Sequence, residues 1–221
     1  MYIIFDFDST IISTEWLDLL AEISLSDNPD KNSILDEIAA ITSAGMVGNM
    51  SFALSLEKRL SLLQANRDHL VQLQGSINDY ISPSFVVHKD FFTVHKEKIF
   101  VVSWWFEEFI FPVTDFLWIE RSNVFANKFV FDEKGAMLGC DATRHTSQDQ
   151  GKVQAVRQLH LEDSEVVVIG DGFTDYEIKQ AWLASIFGVY IENISRAIVV
   201  DKADVVFQNM DAIRNFFEVS T

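Results

Sequence analysis

One cysteine, Cys140, stands among 221 residues, so no disulfide can form within the chain, and such sparse use fits a reducing compartment. Lysine and arginine number 17 against 33 aspartates and glutamates, a formal net charge of -16. That balance argues against nucleic acid or an anionic membrane surface as partner, because both are bound through basic patches. No apolar run approaches the ~18 residues that a membrane-spanning helix needs. The opening stretch from Met1 to Asp6 has neither a basic leader nor a cleavable apolar segment, so the reading is a cytoplasmic protein. No internal repeat or low-complexity segment is visible. The shortage of positive charge poses a chemical problem. An anionic substrate would need a cation placed locally, and a bound metal ion is the obvious source.

Against these absences stand four short apolar runs, Tyr2 to Phe5, Ile99 to Val102, Val166 to Ile169 and Ile186 to Tyr190. Each is rich in β-branched or aromatic residues and too short for a helix, the signature of a strand buried on both faces. Helical patterns lie between them, at Phe106 to Trp118, interrupted by Pro112, and at Val153 to Leu161. Strands alternating with helices predict an α/β fold with an open parallel sheet, Rossmann-like in its core. Residues 15–78 carry almost no strand signal. Apolar residues recur there at helical spacing: Trp16, Leu19, Leu20, Ile23; Ile34, Ile38, Ile41; Phe52, Leu56, Leu60. The expected organisation is a core of residues 1–14 and 79–221 with a small helical cap, residues 15–78, inserted after the first strand. Ser24 to Lys31, with Asn28 and Pro29, reads as a surface loop. The 19 phenylalanines predict an interior rich in aromatic contacts.

Chemistry-bearing residues cluster after the strand-like runs. Asp6-Phe7-Asp8-Ser9-Thr10 follows the first. In an open α/β sheet ligands bind beyond the carboxyl ends of the strands. Two carboxylates two residues apart repel there unless a divalent cation lies between them, although such a pair also serves as a loop or helix cap. Gly170-Asp171-Gly172-Phe173-Thr174-Asp175 follows the third run; its glycines allow a tight turn, and Asp175 reads either as a cap or as part of a metal site. Ser103 ends the second run, and Lys152 stands in Gln150-Gly151-Lys152. Singly, these are an ordinary cap and a solvated lysine.

In this order, the acidic pair, Ser103, Lys152 and the Gly-Asp-Gly segment resemble the motifs of the haloacid-dehalogenase phosphatases. The resemblance implies Asp6 as nucleophile and Asp8 as proton donor, then base, with a carboxyl pKa raised by its acidic neighbours. It implies magnesium, replaceable by manganese, held by Asp6, the Asp8 carbonyl and Asp171, with Asp175 orienting its waters. Lys152 and Ser103 would hold the phosphoryl oxygens. Positioning and charge neutralisation of this kind supply most of the catalysis of phosphoryl transfer.

Glu15 and the stretch from Ile41 to Leu60 look like the cap of the phosphoserine phosphatases within that superfamily, and Asn123 to Asn127 is also similar. The likeness implies that Glu15 meets the substrate ammonium and Arg59 its carboxylate, while Met46 and Phe52 line the pocket. Thr174 and Trp104 complete the implied substrate contacts. One Glu and one Arg are complementary to a zwitterion, and Arg binds a carboxylate bidentately. Alternatively, Glu15 is an exposed first-turn residue, Phe52 plain core and Arg59 a solvated charge beside Lys58. The chain departs from the family at Trp104-Trp105, where two glycines are usual. Three outcomes follow: rings that point away, rings that narrow the pocket and change its substrate, or rings that block phosphate. The expected activity is hydrolysis of O-phospho-L-serine, a small phosphomonoester. The alternatives are transfer of the phosphoryl group to an acceptor alcohol such as homoserine, or ligand binding without turnover.

Overall fold

The structure is a computed structural model and describes residues 1–46 and 49–219, with the side chains of Met46 and Val219 left out. Eight strands are present among the described residues: β1 (Tyr2–Phe5), β2 (Ile99–Phe106), β3 (Val124–Asn127), β4 (Phe129–Phe131), β5 (Met137–Cys140), β6 (Val166–Gly170), β7 (Ile186–Tyr190) and β8 (Val205–Phe207). Six of them form one sheet in the order β3-β2-β1-β6-β7-β8, and every pair in it is parallel. The fold is thus α/β, with a sheet covered on both faces, which explains the continuous rather than alternating apolar runs. All four strand-like runs are strands. The others, β3, β4, β5 and β8, are three or four residues long or half-buried, too short for their composition to stand out.

Helices α1 (Trp16–Ser24), α2 (Lys31–Met46), α3 (Phe52–Leu62) and α4 (Arg67–Gln74) follow β1; α5 (Pro83–Val87) and α6 (Lys89–Val94) lead into β2. Then come α7 (Glu107–Phe116), α8 (Gly151–Arg157), α9 (Phe173–Gln180), α10 (Ala197–Val200) and α11 (Met210–Val219). The chain leaves for α1 and returns after α4 as a short antiparallel pair, in which Ser13 N–H donates to Tyr80 O (2.8 Å) and Ser82 N–H to Ile11 O (2.9 Å). Trp16, Leu20, Ile38, Leu56 and Leu73 share one apolar cluster with Phe5, Val101 and Phe109 of the sheet side. Trp16 stacks on Phe109, centroids 5.6 Å apart, and Phe106 lies parallel to Phe129. None of the described helices is long and apolar enough to cross a membrane.

Three sequence expectations change. Helix α7 is not interrupted by Pro112. Proline has no N–H for the carbonyl four residues back, and that carbonyl, Glu108 O, instead accepts Gln74 Nε2–H at 2.6 Å. A side chain from α4 thus replaces the missing bond. Helix α8 runs Gly151–Arg157 rather than from Val153 to Leu161. Ser103 does not end its strand: β2 continues to Phe106, with a register shift against β3 between Val102 and Phe106. Trp104 and Trp105 favour extended backbone, and neither has positive φ.

Candidate active site

Strand registers bring the motifs to one edge. Phe5 lies opposite Val101 on β2 and Ile169 on β6, so Asp6, one residue past that level, and Ser103 and Asp171, two past it, come together at the carboxyl edge of β1 and β6, with Ser103 still inside β2. From β1 the chain builds outward through β2 to β3, then returns across β1 to β6. The gap between β1 and β6 is therefore the topological switch point, where open α/β sheets bind ligands.

Lys152 occupies the centre. It is 1% exposed, and its Nζ lies 2.7 Å from both Asp6 Oδ1 and Asp175 Oδ1. Burial by itself lowers the ammonium; the Asp175 and Asp6 carboxylates together outweigh it and hold it above its usual range. Asp175 is pushed up to about 7 by burial and the Asp6 charge, against the pull of Lys152. Asp175 also accepts Gly172 N–H at 3.1 Å, so it caps α9 and faces the site at once. Gly170 is required by this approach, since a Cβ there would lie 2.2 Å from Asp175 Oδ2.

Carboxylate oxygens of Asp6, Asp171 and Asp175 lie within 4.8 Å of one another. Hard oxygen donors at that spacing fit a small divalent cation such as magnesium. Asp8 is buried, and neither of its carboxylate oxygens has a hydrogen-bond partner among the described residues. Burial, then the charges of Glu15 and Asp6, hold its carboxyl well above the usual carboxylate range.

Glu15, Arg59, Phe52, Ser103 and Trp104 line one cavity with Asp6 and Asp8. Arg59 is 4% exposed, not solvated. Its Nε donates to Ser55 O and one terminal nitrogen to Thr42 Oγ1, each at 3.3 Å. Burial lowers its guanidinium, while Glu15, Asp8 and Asp18 raise it. Glu15 Oε1 accepts Ser9 Oγ–H at 3.0 Å. Ser103 is fully buried, and its Oγ accepts Trp105 N–H at 3.1 Å. The two tryptophans diverge. Trp105 joins the core cluster and borders the cavity from that side, whereas Trp104 stacks on Phe52 and donates to Thr174 Oγ1 at 3.0 Å. The side chain of Met46 lies outside the described residues.

Sequence reasoning missed three contributors. Asn193 Nδ2 lies 3.1 Å from Ser9 O, 3.3 Å from Thr10 O and Ile12 O, and 2.7 Å from Ser82 Oγ. It thereby ties down the loop after β1, in which Ser9 holds a left-handed φ of 51°, a conformation that disfavours non-glycine residues. Arg196 pairs with Asp171 and reaches within 3.7 Å of Glu15 Oε1. Asp18, one turn beyond Glu15 on α1, is pushed up to about 6 by burial and the Glu15 charge. Asn193 and Arg196 follow β7 in a loop without a motif, so only folding marks them. Asp18 lies in the first turn of α1, which Glu15 precedes, and its three-residue spacing from Glu15 was the sequence signal at hand.

No family model matches the chain. A crystal structure of a phosphoserine phosphohydrolase-like protein from Francisella tularensis superposes with a TM-score of 0.86 at 31% identity, covering 97% of this chain and 98% of that one. The chloroplastic phosphoserine phosphatase of Arabidopsis thaliana is 29% identical over 96% of this chain and 70% of its own length. The phosphoserine phosphatase of Drosophila melanogaster is 33% identical over 78% of this chain and 62% of its own.

Proposed function

The chain belongs to the phosphoserine phosphatase family of the haloacid-dehalogenase superfamily, and from that premise we propose that it hydrolyses O-phospho-L-serine to L-serine and phosphate. The carrying observation is that one cavity is lined by Asp6, Asp8, Glu15 and Arg59. Those four residues supply a nucleophile, a proton donor and one charge of each sign for a zwitterion. Relatives named phosphoserine phosphatases support hydrolysis over transfer to an acceptor alcohol or binding without turnover. Residues 15–78 act as the cap that encloses the substrate.

Asp6 is the nucleophile. Its bonds to Phe7 N–H and Lys152 both fall on Oδ1, so Oδ2 is the oxygen left to attack phosphorus. As the ester P–O bond breaks, the Asp8 carboxyl gives its proton to the serine oxygen. Its burial beside Glu15 and Asp6 strengthens its hold on that proton, the direction a proton donor needs. Asp8, now a carboxylate, takes a proton from water as the water attacks the aspartyl-phosphate. Phosphate leaves, the Asp6 carboxylate is restored and Asp8 is again protonated. Lys152 and Ser103 hold the phosphoryl oxygens, and Asp175 anchors Lys152. Asp6, Asp171, Asp175 and the Asp8 carbonyl would hold magnesium, or manganese in its place, which when bound neutralises charge on the phosphoryl group.

The test is phosphate release from O-phospho-L-serine with magnesium present, for the natural chain and Asp6→Asn. Turnover that disappears in the variant and on chelation supports the mechanism. Turnover retained in Asp6→Asn overturns it.

A further inference from the structure

We infer that Trp104 sets the substrate range, because its indole, together with Phe52, is the wall between an open outer cleft and the closed catalytic cavity. The inference rests on the phosphomonoesterase reading and names which esters that site accepts. The outer cleft has a volume of about 360 Å³, and Ser51, Gln150, Phe173 and Glu177 are among its lining residues. The inner cavity, with Asp6, Asp8, Glu15 and Arg59, has about 20 Å³, room for about one water molecule. Phe52 and Trp104 line both spaces.

Three elements hold the indole in that wall. Its ring stacks on Phe52, the first residue of α3, with centroids 3.7 Å apart and planes at 20°. Its Nε1–H donates to Thr174 Oγ1 at 3.0 Å, in the first turn of α9. Its far edge presses on the start of α8, where a Cβ on Gly151 would meet Trp104 Cζ3 at 2.8 Å. Both tryptophans are buried and line the inner cavity, but only Trp104 also faces the outer cleft.

A phosphomonoester cannot occupy the space of one water, so the two rings must part for substrate to enter. The indole, tied to Thr174 and packed against Gly151, stays in place as Phe52 moves aside, and the space it bounds has room for a short leaving group only. The site therefore accepts phosphate esters of compact amino alcohols and rejects those whose amino acid head stands off across an aromatic ring. Phosphotyrosine carries the same ammonium and carboxylate as phosphoserine at a longer reach, and so isolates this effect.

The experiment compares kcat/KM on phosphotyrosine and phosphoserine for the natural chain, Trp104→Phe, Trp104→Gly and Phe52→Ala. Removing either leaf of the wall is expected to raise the phosphotyrosine-to-phosphoserine ratio at least about tenfold, the scale on which pocket volume discriminates. Trp104→Phe keeps a stacked ring and is expected to hold the ratio within about threefold. Phe52→Ala tests the wall independently if Trp104→Gly does not fold. An unchanged ratio in both opened variants, with phosphoserine still hydrolysed, overturns the inference and leaves the proposed function standing. No hydrolysis of either ester by any of the four proteins overturns both.

Discussion

Replacing Arg59 with Met tests the proposed carboxylate recognition most sharply. Arginine carries five N–H donors, and the structure shows two of them engaged, with Ser55 O and Thr42 Oγ1, at 3.3 Å each. Enough donors remain to grip a carboxylate through two parallel bonds. Charge-assisted hydrogen bonds contribute about 1.5–3 kcal/mol each, and desolvation of the substrate carboxylate offsets part of the sum. A net of about 3 kcal/mol corresponds to roughly a hundredfold in kcat/KM. The assay compares O-phospho-L-serine with phosphoethanolamine, which keeps ammonium and phosphate but has no carboxylate. Arg59→Met is expected to lose roughly a hundredfold on phosphoserine while phosphoethanolamine changes within about threefold. Arg59→Lys should fall between, since an ammonium keeps the charge without the planar fork. Losing the cation also lifts the neighbouring Asp8 carboxyl further, because Arg59 is the group that lowers it. That change affects both esters alike and cancels in the ratio. Equal losses on the two esters would refute the carboxylate clamp.

Four further outcomes are expected. Asp8→Asn should lower kcat by about 10²–10⁴-fold, the range for loss of a general acid-base group. In the natural chain the donor form of Asp8 exists only below its raised pKa, so the rate of ester cleavage should decline as pH rises through that value, and a rate that climbs there would contradict the assignment. Asn193→Ala should reduce kcat by roughly tenfold to a hundredfold with little change in KM, because it frees the loop that aims Asp8 rather than a substrate contact; a change confined to KM would argue otherwise. Gln74→Leu leaves Glu108 O unpaired and should cost about 1–3 kcal/mol, or several degrees in Tm, and adding Pro112→Ala should recover most of it by restoring the backbone donor. Thermal melts of the single and double variants would decide this, and no recovery would refute the account of α7.

Residues adjacent in sequence told most about the core. The runs from Tyr2 to Phe5 and from Val166 to Ile169 are strands because an apolar, β-branched segment four or five residues long can bury itself only between sheet neighbours and covering helices. The motifs at their ends were legible for the same reason, since the strand end determines where the next residue emerges. The short strands β3, β4, β5 and β8 were not legible. Their partners lie far along the chain, and pairing, not composition, defines them. Pro112 misled because its local effect is real, and only Gln74, 38 positions away and brought near by folding, offsets it.

The sequence by itself determined the parallel sheet, the order of the charged motifs and the helical character of residues 15–78, all of which follow from hydrophobic period and local backbone preference. Tertiary structure alone decided three matters that depend on distance through space. It placed Lys152 between Asp6 and Asp175, where burial makes each charge depend on the other two. It recruited Asn193 and Arg196 from a loop with no motif. It packed Trp105 into the core cluster beside the cavity and stacked Trp104 on Phe52 between cavity and outer cleft, because the groups that receive the two rings belong to distant parts of the chain.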